Sequence, residues 1–65
     1  MEINYMFTGR VKTDTFNHVR IINVHGEISG SNALQALKNA QNCYHSPVEL
    51  DKWRIFREVK IQGKR

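Results

Sequence analysis

Residues 29 to 44, SGSNALQALKNAQNCY, carry the clearest helical period in the chain. At 100° per residue Ala33, Leu37, Ala40 and Tyr44 fall within about 60° of one another, with Leu34 and Ala36 on the flanks. Gln35, Lys38, Asn39 and Asn42 take the opposite side. The spacing predicts a helix from about 31 to 44, capped by Ser29 or Ser31 through a hydroxyl that accepts a free backbone N–H of the first turn. Three alanines in its apolar face let the axis lie close to whatever it covers, so the helix needs a sheet beneath it.

That sheet is legible on both sides of the helix. From Ile3 to Val11 the sequence alternates, with Ile3, Tyr5, Phe7, Gly9 and Val11 on one face and Asn4, Met6, Thr8, Arg10 and Lys12 on the other. Thr13, Asp14 and Thr15 read as a short polar break, and FNHVRIINVHGE returns with the β-branched enrichment of a second strand, ended by Gly26 and the Ser29-Gly30-Ser31 segment. An antiparallel hairpin with Lys12 opposite Phe16 would set Phe7 against Ile21 and send Val19 and Ile21 into the core.

After the helix, Ser46-Pro47-Val48-Glu49 has the form of a capping box with proline at the first helical position. A long second helix is nonetheless rejected, because Leu50, Trp53, Ile55, Phe56, Val59 and Ile61 scatter around a helical circumference. Period two instead aligns Trp53, Ile55, Val59 and Ile61 on one face, leaving only Arg57 as a misfit. One helical turn and then a strand is expected, with residues 62–65 frayed.

The expected fold is α+β, one domain spanning residues 1–65. Strands near 2–12, 16–26 and 53–61 form a three-stranded antiparallel sheet in ββαβ sequence and spatial order 2-1-3, covered on one face by the helix. The expected core is Ile3, Tyr5, Phe7, Val11, Val19, Ile21, Leu34, Leu37, Ala40, Trp53, Ile55 and Val59. A chain of 65 residues buries only about 60% of its unfolded surface, so that core is small. Hydrophobic content of 40% with 25% charged residues still favours a folded domain over a disordered one.

Composition narrows the function classes. There is no run of 18 apolar residues and no basic-then-apolar amino terminus, so no membrane partner and a cytoplasmic location are expected. Cys43 is the only cysteine, which excludes an intramolecular disulfide and makes oligomerisation an attractive way to enlarge the core. The chain has no Gly-rich phosphate loop, no nucleophile elbow and no telling carboxylate pair, so no enzyme and no cofactor are expected. Glu49 and Asp51 read as first-turn helix residues drawn to the positive end of the dipole. Cys43 and His45 stand near each other without the second ligand pair that zinc requires, and no metal is expected.

The formal charge of +4 is localised. Lys52, Arg54, Arg57, Lys60, Lys64 and Arg65 face only Glu58, a surplus of five, while residues 1 to 51 hold four cations against five acids. On the uncovered sheet face Arg10, Lys12, Arg20, Lys52 and Arg54 would interleave with Phe16, His18 and Phe56. Such a surface suits single-stranded nucleic acid, with cations on phosphates and rings stacked on bases, although the RNP aromatic motifs of RNA-binding sheets are absent. The same face would gather Met6, Ile22, Val24 and Phe56, and exposed apolar groups held together mark an interface. The alternative expectation is therefore a protein-partner or homodimerisation module. A small accessory, inhibitor or adaptor protein of a phage or other mobile element would fit the length.

Overall fold

The structure is a computed structural model that describes residues 2–59. Its elements are β1 (Ile3–Thr15), β2 (His18–Gly30), α1 (Ala33–Cys43), β3 (Pro47–Val48), a 3-10 turn (Leu50–Lys52) and β4 (Arg54–Val59). β1 is central, with β2 on one side and β3 and β4 on the other, all antiparallel to it. The α+β class and the position of the first strand are as expected, but the sheet has four strands rather than three, because Pro47 and Val48 pair with Val11 and Arg10 before the 3-10 turn. The expected continuation of the last strand to Ile61 and the fraying of 62–65 lie outside the described residues.

The hairpin register differs from expectation by five residues. Thr15 pairs with His18, leaving Phe16 and Asn17 as a two-residue loop, so Phe7 faces Gly26, Gly9 faces Val24 and Val11 faces Ile22. Because side chains alternate, an odd shift turns the whole of β2 over. Ile22, Val24 and Ile28 share the covered face, whereas Val19 and Ile21 stand opposite Asp14 and Lys12 on the other and are exposed. Thr13 and Thr15 are β-branched and continue the ladder, while Asn17 is the residue suited to a tight turn. β2 also runs through Gly26 to Gly30 instead of ending there.

Asn32 caps α1, not Ser29 or Ser31: its Oδ1 accepts the Gln35 N–H at 2.8 Å from an extended backbone. The amide of Asn39 donates to the Ser29 carbonyl at 2.9 Å and ties the helix to the end of β2. The face turned inward is that of Ala36 and Ala40, both fully buried, with Leu37 packed at the core margin; Leu34 is exposed and leaves the expected core. At Gly30 a Cβ would come within 2.7 Å of the Ala36 Cα, so the glycine permits the close crossing that the alanines require.

The core is a cluster of Phe7, Val11, Ala40 and Trp53 with Val24, Ile28, Leu37, Tyr44 and Ile55 around it. Phe7 stacks parallel to the Trp53 indole, with centroids 6.0 Å apart, and Tyr44 meets both rings edge-on at 5.9 Å. Trp53 satisfies its N–H on the Val48 carbonyl at 3.0 Å and lies over Gly9, where any side chain would overlap the ring. Arg57 ceases to be a misfit because the ladder shifts between Met6 and Phe7. Phe56 is the unpaired residue of this bulge, which puts Ile55 on the core face, Arg57 on the open face opposite Met6, and Val59 opposite Asn4 rather than in the core.

Candidate interaction surface

Beyond the Val11–Ile22 pair the hairpin runs past the helix as a two-stranded arm. Thirteen residues of strand span about 44 Å at about 3.4 Å each, which accounts for the molecule's 51 Å length against widths of 21 and 16 Å. Most of residues 12–23 are exposed, and among the described residues no element covers either face of the arm. Phe16 is fully exposed at the tip with φ 50°, a value that favours glycine. Behind it Val19, Ile21 and Ile22 retain 61, 50 and 43% of their accessible surface.

The basic residues expected to converge are dispersed. Arg10, Lys12 and Arg54 belong to the open sheet face, where Arg54 lies opposite Thr8. The register turns His18 and Arg20 to the other side of the arm, opposite Thr15 and Thr13. Lys52 is exposed in the 3-10 turn, and Phe56 is half exposed at the bulge. Arg10 is already engaged: Nη1 donates to Glu49 Oε1 at 2.8 Å and Nε to Asn23 Oδ1 at 3.1 Å. Glu49, expected to serve a helix dipole, instead makes no capping bond and has φ 51°. Both partners of this ion pair are more than a third exposed, so it positions the turn more than it stabilises the fold. Rows of side chains cross the open face, Glu27–Met6–Arg57 and His25–Thr8–Arg54, mixing both signs of charge. Residues 2–59 hold seven lysines and arginines against six acids, so most of the positive surplus resides in Lys60, Lys64 and Arg65.

The expected apolar group separates as well. Met6 is half-buried between Glu27 and Arg57 on the open face, Val24 packs against the core, and Ile22 lies on the helix side of the arm. The apolar side chains that the arm does expose are Phe16 at the tip, Val19 and Ile21 on the open face and Ile22 on the helix side, and three of these four were expected in the core or at a strand start. Asn17, read as a turn residue, is the signal that would have located them.

An open cleft of about 520 Å³ lies where the arm leaves the body, lined by Val11, Lys12, Thr13, Asp14, Tyr44, His45 and Ser46. The Thr13 hydroxyl in its lining donates to the Arg20 carbonyl at 3.4 Å. Cys43 is exposed and free, and among the described residues no three His, Cys, Asp or Glu side chains gather as metal ligands would. None of the described helices is long and apolar enough to cross a membrane. No protein-family profile matches the chain, and no curated protein and no solved structure matches it.

Proposed function

We propose that the protein is a small non-enzymatic binding module that engages a protein partner through the projecting end of the β1–β2 hairpin. The observation that carries this reading is Phe16. A bulky residue at positive φ costs on the order of 1–3 kcal/mol, and a ring fully in solvent regains none of it from the fold. An aromatic presented at the end of an arm, with Val19 and Ile21 exposed on one face behind it and Ile22 on the other, has the composition of an interface anchor. Single-stranded nucleic acid is the competing ligand, supported by the cation surplus of residues 52–65.

Two measurements separate them. A mixed-sequence oligonucleotide titration at low salt is expected to show no binding by the arm. Phe16→Gly, which keeps the turn, is expected to abolish binding to a purified protein partner recovered by the wild type. Oligonucleotide binding that weakens on Phe16→Gly would transfer the arm to nucleic acid.

A further inference from the structure

The two edges of the sheet are treated differently. On the β3–β4 side the edge strands are two and six residues long, the first begins with Pro47, and the second carries a bulge at Phe56 with Arg54 and Arg57 around it. Short length, proline, bulges and charge are the devices by which proteins keep an edge from pairing with another chain. β2 has none of the first three: it is a thirteen-residue edge strand without proline or lysine, in unbroken register with β1. Its outer backbone groups form a template for a further strand.

We infer that the strand added there is β2 of a second copy of this chain, antiparallel across a two-fold axis, so that two sheets become one. This rests on reading the arm as a protein-binding surface and names its partner. A two-fold axis perpendicular to the sheet keeps faces together, so each residue pairs with one of its own face and the axis passes through a self-paired position. Centring on Arg20 opposes two guanidiniums and is disfavoured. Centring on Ile22 opposes no like charges, sets Ile22 against itself, and brings Phe16 to Ile28 of the partner subunit. Phe16 and Ile22 then each meet an apolar side chain of the second copy, Val19 and Ile21 lie opposite polar ones, and a disulfide-free chain of this size gains a further ladder of backbone hydrogen bonds with its cross-strand pairs.

The self-paired position gives a sharp test by sedimentation and circular dichroism. The wild type is expected at twice 7.6 kDa. Ile22→Lys and Ile22→Glu, at a site 43% exposed in the monomer, are each expected to be folded monomers, and an equimolar mixture of the two is expected to restore the dimer. With Cys43→Ser in the background, Ile22→Cys is expected to cross-link to itself on oxidation, whereas Arg20→Cys is not. A wild type that stays monomeric at millimolar concentration overturns the inference, as do single variants that remain dimers. In either case the arm as a protein surface is judged separately: it survives if Phe16→Gly abolishes binding to a purified foreign protein and fails if no Phe16-dependent partner exists.

Discussion

Tyr5, Phe7 and Val11 are buried beneath α1 and the Trp53 indole, while Val19, Ile21 and Ile22, farther along the same hairpin, stand in solvent. Both stretches are rich in β-branched or aromatic residues, and both belong to one unbroken ladder. The difference lies in what crosses above them. The base has a helix whose alanines approach over Gly30 and an indole that settles on Gly9, and among the described residues the arm has no such cover. Apolar pattern establishes that a strand exists; only the reach of the covering elements decides which of its residues are core.

That contrast can be broken most forcefully at the base. Phe7→Ala removes the ring that stacks on Trp53 and touches Tyr44, and should cost about 3 to 5 kcal/mol. At roughly 0.05–0.15 kcal/mol per residue the whole domain holds about 3 to 10 kcal/mol, so the variant is expected to lose about a third of its stability or more and to melt far below the wild type by circular dichroism. A cooperative melt close to wild type would mean that the aromatic trio is not the centre of the core. Gly30→Ala tests the covering element instead. Its methyl meets backbone atoms of Ala36 that cannot step aside, and a loss of about 1 to 3 kcal/mol in denaturant titration is expected as α1 is lifted from β2.

Most of the architecture could be read from residues whose pattern had one solution. The alternation from Ile3 to Val11 made β1 central, and the period from Ala33 to Tyr44 put one helix on the sheet. The circumferential scatter of Leu50 to Ile61 ruled out a second long helix. What could not be read depended on parity. Thr13-Asp14-Thr15 is polar, and polarity does not distinguish a turn from a ladder in water, so the register slipped by five and β2 was inverted. The bulge at Phe56 is a second parity change that a strict period of two cannot represent; Arg57 on the inward face was its only trace. The candidate site inherited both errors, since each face assignment on β2 and β4 depended on them. The basic residues expected to be neighbours are not: Arg10, Lys12 and Arg54 share the open face, and His18 and Arg20 are turned to the other.

At the tip the comparison predicts a gain in place of a loss. Phe16→Gly removes a side chain that contributes no packing and relieves a positive φ, so stability should rise by up to about 1 kcal/mol, offset in part by the greater freedom of glycine in the unfolded chain. Thermal melting under dilute conditions reads this directly, and a clear loss would show that the ring packs on the arm.

The smallest effect is expected at Ile21, and it is the most discriminating because the two registers disagree there. With Phe7 opposite Ile21 the side chain would sit in the core, and Ile21→Thr would bury an unpaired hydroxyl at a cost of about 1–3 kcal/mol in addition to the lost methylene. With Lys12 opposite Ile21 the side chain is half exposed on the open face. Threonine is β-branched and keeps the strand preference, its hydroxyl can reach water, and the change in unfolding free energy should stay within about 0.5 kcal/mol. Denaturant midpoints must be compared at protein concentrations low enough to keep any self-association out of the measurement, since burial of the arm by a second copy would add its own term. A midpoint shift several times larger under those conditions would return Ile21 to the core and with it the inverted register, and the arm would no longer be a surface.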